Sequence, residues 1–188
     1  LKLLPKLFLE RPEALRKQDL KRLQSGNWYQ SEKLMGMQLY VEHFNKDLKG
    51  LKEKIPYFKK LGVNFLHLMP ITKRPAGESD GGYAVNSYLE VDRKYGSKED
   101  LLELTTAFRK NGIYLMLDFV VNHTSNEFSW AKKAKKGDKK YQGYYYTYED
   151  LTIPAEFEKT LPEVFPETSP GNFTYIPEME KWVMTVFN

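Results

Sequence analysis

Apolar residues along this chain follow a helical period in some segments and form short continuous runs in others. One helical segment begins after Asp47, which can cap its first turn, and its apolar positions are Leu48, Leu51, Ile55, Phe58 and Leu61. Pro56 should kink or restart this helix, because proline lacks the N–H that a helix interior uses. Gly62 lies where a C-terminal stop is expected.

Two further helical regions are predicted from the sequence. Residues 1–27 should form an N-terminal helical segment that is interrupted by Pro5 and Pro12. Ser97-Lys98-Glu99-Asp100 resembles a capping box and should open a second long helix. The inward positions of that helix are Leu101, Leu104 and Phe108, and Asn111-Gly112 ends it.

Three apolar runs have the length of buried strands, namely residues 35–41, 63–69 and 113–117. Strands that alternate with helices at this spacing indicate an α/β fold with a parallel sheet and right-handed crossovers. The Gly- and Pro-rich connection 71–94 is expected to lack regular structure, and loops of that length are often functional. The pattern changes at Thr124, so residues 124–188 are interpreted as an irregular domain inserted after the third strand.

Composition narrows the function classes. The 188 residues are 41% apolar and include no cysteine, which excludes disulfides, thiolate catalysis and Cys-ligated metals. The three histidines have no H-x-x-x-H spacing, which argues against a His-based zinc site. No apolar stretch approaches the ~20 residues of a membrane span, and no signal peptide is visible. We therefore expect no membrane partner and a protein that is cytoplasmic or secreted without disulfides; the initial Leu suggests that the natural start is missing.

The net charge of +4 fits a surface with a mild lysine excess. A lysine-rich run at residues 132–140 lies beside several tyrosines, and single-strand binders use such mixtures. Lysine clusters are far more often solvated helix faces, so we predict no nucleic-acid partner.

Polar residues with chemical potential follow the third strand directly. Asp118, Asn122 and His123 lie where ligands bind in parallel α/β folds, at the carboxyl ends of the strands. We expect His123 to contact a ligand. Asp118 should organise the strand end by holding backbone N–H groups or an Arg, because an unpaired buried carboxylate is costly. Asn122 could orient the loop or give a carbonyl to calcium, and the sequence does not choose.

A second polar cluster, residues 79–88, lies in the connection after the second strand. Its two glycines allow a sharp turn or a close approach to a ligand. Asp80 and Tyr83 flank them, a carboxylate that accepts hydroxyl hydrogen bonds and a ring that can stack on a sugar. An ordinary Asp-Gly turn with a packed tyrosine explains the same residues, and spacing alone does not decide.

Together, the two clusters resemble the α-amylase family of glycoside hydrolases and transglycosylases. The stretch 118–123 is similar to that family's first signature region, at the end of its third barrel strand. Loops as well as strands resemble the amylosucrase subfamily, in the segments Trp28–Ser31, Tyr40-Val41, His67–Pro70, Ser79–Tyr88, Asn122–Glu127, Leu161–Pro166 and Trp182–Asn188.

The resemblance implies the first three βα units of a (β/α)8 TIM barrel. Residues 28–123 would start the barrel, after the helical segment 1–27 and before the inserted domain 124–188. It also implies a retaining, double-displacement enzyme that cleaves sucrose and passes glucosyl units to an α-1,4-glucan or to water. In such an enzyme, His123 would bind glucosyl hydroxyls at the transition state. The other substrate-binding positions are Asp80 at the pocket floor, Tyr83 stacked on the ring and Phe187 as an aromatic wall.

The same resemblance implies that catalytic groups are missing from this chain. The nucleophile and the acid/base, about 5 Å apart in retaining enzymes, come from the fourth and fifth strands of the family. The chain ends before these strands, so we expect it to be inactive alone and to need the rest of the polypeptide. The loop His43–Asp47 is too poor in carboxylates for a hard cation, so we predict no metal and no cofactor. The alternatives are a hydrolase of the same family acting on α-glucans or α-glucosides, and a non-catalytic carbohydrate-binding fragment.

Overall fold

The computed structural model describes residues 3–77, 79–167 and 170–185. The helices are α1 (Leu3–Glu10), α2 (Glu13–Gln24), α3 (Val41–Asn45), α4 (Leu48–Glu53), α5 (Ile55–Leu61), α6 (Lys98–Lys110), α7 (Ser129–Lys135), α8 (Lys139–Gln142) and α9 (Thr152–Glu158). The strands are β1 (Gly36–Leu39), β2 (Phe65–Leu68), β3 (Thr72–Lys73), β4 (Ser87–Val91), β5 (Tyr114–Leu117), β6 (Thr147–Tyr148), β7 (Phe173–Ile176) and β8 (Lys181–Met184). Short 3-10 turns occupy Trp28–Gln30, Asp80–Gly82 and Pro177–Met179.

The three predicted strands form one parallel sheet in the order β1-β2-β5. Each strand is four residues long, shorter than the apolar run that predicted it. The sheet packs against α4, α5 and α6 around a core that includes Leu48, Leu51, Phe58, Leu66, Leu68, Leu104 and Phe108, each of them fully buried. Parallel pairing places the carboxyl ends of all three strands at one edge.

Local sequence signals fix the helix ends. The Asp47 carboxylate accepts a hydrogen bond from the Gly50 N–H at 2.7 Å, which caps α4. The chain then restarts as α5 with Pro56 in its first turn, and Gly62 ends α5 at a φ of 76°. The Ser97 hydroxyl and the Asp100 carboxylate each accept from the other residue's N–H, which completes the predicted capping box of α6.

The connection 71–94 is more regular than predicted. Strands β3 and β4 pair as an antiparallel hairpin, with a register shift between Thr72 and Lys73. The base of the hairpin is held by Arg74, whose guanidinium lies 3.5 Å from Glu42 and 3.7 Å from Asp92. Because Glu42 follows β1, this ion-pair cluster attaches the hairpin to the end of the first strand. The prediction of a loop without regular structure was wrong for these residues.

The segment after residue 124 was expected to be irregular, and it too is more ordered than that. Helices α7, α8 and α9 accompany an antiparallel sheet with the order β6-β8-β7. The lysine-rich run lies on α7 and α8, whose inward residues are Ala131, Ala134 and Gln142. Within the described ranges, none of the helices has the length and hydropathy of a membrane span.

Candidate active site

The two polar clusters predicted from the sequence meet at the carboxyl edge of the sheet. One comes from the 3-10 turn Asp80–Gly82, which leads into Tyr83, and the other follows β5 directly. His123 Nε2 lies 3.2 Å from the carbonyl oxygen of Tyr83. The loops therefore touch, and the geometry joins His123 to Tyr83.

Asp118 binds two side chains, one with each carboxylate oxygen. Oδ2 accepts a hydrogen bond from the Tyr83 hydroxyl at 3.0 Å, and Oδ1 lies 3.0 Å from His67 Nε2. The side chains of Asp118 and His67 are 23% and 18% exposed, so both donors compensate a carboxylate that is largely removed from water. The expectation that Asp118 holds backbone N–H groups or an Arg was wrong: a tyrosine and a histidine supply the donors.

His67 is the residue that sequence reasoning missed as a partner for Asp118. Strand pairing places His67 opposite Met116, and Asp118 lies two residues farther along the chain. Side chains alternate along a strand, so this register puts both groups on the same face of the sheet. The pairing of His67 with Asp118 could have been predicted only by first assigning the register between the second and third strands.

Tyr83 keeps its proton throughout the physiological pH range. Burial, followed by the hydrogen bond to Asp118 and the negative charge of that carboxylate, raises the pKa of Tyr83 to about 12. The hydroxyl is therefore a donor, and a carboxylate that only accepts is its fitting partner.

The imidazole of His123 has protein partners on both nitrogens. Nε2 faces the Tyr83 carbonyl, which can only accept, while Nδ1 lies 3.2 Å from the amide nitrogen of Asn122, which can only donate. This pairing assigns the neutral tautomer with its hydrogen on Nε2, as inferred from the partners. A sugar hydroxyl that binds His123 would have to share or replace one of these bonds.

The loop that carries His123 is anchored from below by β4. The Tyr88 hydroxyl donates to the carbonyl of Val120 at 2.7 Å and lies 3.3 Å from that of His123. One residue after the loop, Ser125 N–H donates to the Val85 carbonyl at 3.0 Å. The hairpin thus positions both halves of the candidate site.

Asp80 begins the turn in an exposed position with a φ of 47°, a left-handed conformation that few residues other than glycine adopt. The next residue, Gly81, lies against Tyr40, so that a Cβ built on Gly81 would be 2.9 Å from the Tyr40 hydroxyl. Phe187, the predicted aromatic wall, lies outside the described residues.

A cavity of about 310 Å³ adjoins the same loop. Its walls combine residues 121–126, including Asn122 and His123, with α7 and the sheet of the segment after 124, and they include Trp130, Tyr144, Tyr145 and Met179. Asp80 and Tyr83 do not line it. The cavity and Tyr83 therefore adjoin His123 separately.

A protein site for a metal ion needs several carboxylate, carbonyl or imidazole ligands close together. Over the described ranges, no group of three or more His, Asp or Glu residues could hold a metal ion. Asn122, the one candidate calcium ligand, is exposed and turns its amide nitrogen to His123.

Comparisons with known proteins agree on one family. Residues 22–184 match the catalytic domain of alpha amylase. A 4-alpha-glucanotransferase of Thermotoga neapolitana is 39% identical over 119 residues, which cover 60% of this chain and 26% of that protein. Maltase 1 of Drosophila virilis is 35% identical over 143 residues, covering 72% of this chain and 22% of the maltase.

Among solved structures, a MutB mutant in complex with the substrate sucrose superposes with a TM-score of 0.71 at 29% identity, over 83% of this chain and 28% of MutB. The chain spans about a quarter of the length of these relatives. The match and the parallel β1-β2-β5 sheet confirm the predicted fold class, the opening βα units of a (β/α)8 barrel. The chain therefore belongs to the α-amylase family of glycoside hydrolases and transglycosylases, within its catalytic domain.

Proposed function

We propose that this chain is the front part of an amylosucrase-like enzyme that cleaves sucrose and transfers the glucosyl unit to an α-1,4-glucan. The observation that carries this proposal is the meeting of Tyr83, Asp118 and His123 at the carboxyl edge of the parallel strands. In barrels of this kind, residues at that edge contact the substrate.

The proposed roles follow from the chemistry of each group. The ring of Tyr83, whose hydroxyl is fixed on Asp118, offers an apolar face to the pyranose. His123 exchanges one of its protein hydrogen bonds for a glucosyl hydroxyl as positive charge develops on the sugar. Asp80, exposed at the turn, accepts a hydrogen bond from a further hydroxyl. Phe187 is proposed as the aromatic wall that closes this half-pocket.

Catalysis needs groups from the remainder of the polypeptide. A retaining mechanism requires a carboxylate nucleophile and a carboxylic acid about 5 Å apart. We propose that both lie on later strands, so that this chain supplies substrate binding and transition-state contacts. No metal or cofactor takes part in the proposed reaction.

Sucrose is favoured as the donor by the resemblance of loops as well as strands to amylosucrases. The superposition on MutB, whose structure contains sucrose as the substrate, supports the same donor. A hydrolase acting on α-glucosides is the second candidate, and it is favoured by the similarity to a maltase over 72% of this chain.

Product analysis separates these candidates. The full-length protein is incubated with sucrose and, in parallel, with maltooligosaccharides, and the products are resolved by anion-exchange chromatography. Fructose release with an iodine-staining polymer is expected. Glucose and fructose in equal amounts without polymer, or cleavage of maltooligosaccharides only, would favour the hydrolase.

The His123→Ala variant tests the site itself. Turnover should fall by at least 100-fold, on the scale that mutation of transition-state contacts usually produces. His43→Ala is the matched control, because His43 is a surface histidine whose side chain is 76% exposed. An unchanged rate in His123→Ala would show that the pocket lies elsewhere.

A further inference from the structure

Three side chains from three separate elements are joined in a row by two hydrogen bonds at the candidate site. His67 comes from β2, Asp118 follows β5, and Tyr83 follows the 3-10 turn in the hairpin connection. Both links measure 3.0 Å between heavy atoms, and they use different oxygens of the Asp118 carboxylate. Each oxygen is thus held by one donor.

The positions of the protons follow from the partners. An ionised carboxylate only accepts, so the Tyr83 hydroxyl and His67 Nε2 must both donate to it. The high pKa of Tyr83, about 12, keeps its hydroxyl protonated. His67 can donate from Nε2 both as the neutral Nε2–H tautomer and as the imidazolium. Both hydrogen bonds to Asp118 therefore persist whether or not His67 is charged.

Tyr83 is held at both ends. Its N–H donates to the Asp80 carbonyl at 3.2 Å, and its own carbonyl faces His123 Nε2. At the far end of the ring, the hydroxyl is fixed on Asp118. With the backbone fixed, the position of the Asp118 carboxylate sets where the hydroxyl lies and therefore the direction in which the ring points.

The carboxylate of Asp118 would rotate about its terminal torsion if only one oxygen were bound, because that torsion is broad. His67 binds the other oxygen and prevents this rotation. We propose that His67 is a positioning residue for sugar binding, acting through Asp118 to fix the ring of Tyr83. This inference rests on the proposed function, in which Tyr83 is the surface that stacks on the glucosyl ring.

The test is a double-mutant cycle in the full-length enzyme. His67→Leu removes the donor, whereas His67→Gln keeps an amide N–H at a similar reach. We expect kcat/KM for sucrose to fall about tenfold in His67→Leu, equivalent to about 1.4 kcal/mol, and less than about threefold in His67→Gln. Rescue by glutamine would show that the hydrogen bond matters rather than the shape of the ring.

The Tyr83→Phe background decides whether His67 acts through Tyr83. Without the hydroxyl there is no ring anchor left to orient, so adding His67→Leu should change kcat/KM less than about twofold. Coupling of this kind marks residues that act as one unit. The same tenfold loss in both backgrounds would overturn the proposal, since it would describe a histidine that only stabilises the fold. His67→Asn, whose amide is too short to reach Asp118, runs in parallel and replaces His67→Leu if that variant does not fold.

A readout without turnover separates this inference from the proposed function. With tyrosine labelled by ¹³C at Cζ, the resonance of Tyr83 is identified by its loss in Tyr83→Phe. We expect this resonance to titrate near pH 12 in the wild type. Its chemical shift at neutral pH should change in His67→Leu but not in His67→Gln. An unshifted resonance in His67→Leu would overturn the positioning role. The expected shifts in a protein that is inactive on sucrose and on α-glucosides would refute the proposed function while leaving the hydrogen bonds to Asp118 intact.

Discussion

A side chain at Gly81 should destabilise the turn that carries Asp80. Gly81 has a φ of 65°, and a Cβ added there would lie 2.9 Å from the Tyr40 hydroxyl. The left-handed conformation costs alanine about 1–2 kcal/mol, and displacing a packed group adds about 1–3 kcal/mol. Because the obstructing atom is the end of a side chain, we take the lower end of the second range. The free energy of unfolding should therefore fall by about 2–3 kcal/mol in Gly81→Ala.

Two further variants isolate the contact with Tyr40. Gly62 has a similar φ of 76° with no atom within 4 Å of the added Cβ, so Gly62→Ala should lose only the ~1–2 kcal/mol of backbone strain. Tyr40→Phe removes the obstructing oxygen and leaves the ring carbon Cζ at 3.7 Å, an ordinary contact. In that background, Gly81→Ala should cost no more than Gly62→Ala. Urea unfolding of the full-length protein, followed by circular dichroism, gives the free energy of unfolding of the wild type, of the three single variants and of the double variant. Equal losses for Gly81→Ala and Gly62→Ala, or no rescue by Tyr40→Phe, would refute this account of the turn.

Two other predictions concern the core and the ion-pair cluster. Leu104→Ala should lower the free energy of unfolding by about 2–5 kcal/mol, because Leu104 is fully buried, whereas Leu102→Ala on the same helix, 63% exposed, should change it by less than about 0.5 kcal/mol; similar losses in urea unfolding would contradict the assigned inward face of α6. The hydrogen bond from Lys94, opposed by burial and aided by Tyr95 and Arg74, lowers the pKa of Glu42 from 4.5. A lowered folded-state pKa stabilises the protein above the unfolded value, and this stability is lost as the pH falls through the folded value. Thermal unfolding between about pH 5 and 3 should therefore show a smaller acid loss in Glu42→Gln than in the wild type; parallel curves would contradict this.

The helices and the parallel sheet could be predicted because their signals are local. Asp47, Pro56 and Gly62 each act on the residues beside them, and the capping box of α6 needs only four consecutive positions. The hairpin was missed for the converse reason. Strand β3 is only two residues long and its register shifts within them. Two residues are too few to show the alternation of apolar and polar positions that predicts a strand. Its position depends on Arg74 meeting Glu42, more than thirty residues earlier in the chain.

The candidate site divides in the same way. The resemblance to the α-amylase family groups Tyr83 with His123, and parallel topology agrees with it because the loops after the second and third strands reach one edge of the sheet. The partners of Asp118 depend on the register between β2 and β5, which the two apolar runs do not encode by themselves. Register is set by packing over the whole sheet, so the two apolar runs do not indicate that His67 and Asp118 are partners.

The order β1-β2-β5 leaves the outer sides of β1 and β5 without a neighbouring strand among the residues described. Met116 and Leu117 on β5 are 42% and 40% exposed, and Phe119 just beyond the strand is 69% exposed. Unpaired backbone N–H and C=O groups beside exposed apolar side chains form a template on which an extended segment of another molecule pairs. Through these two open sides the 188 residues are expected to associate with one another, so that sedimentation should show oligomers rather than monomers.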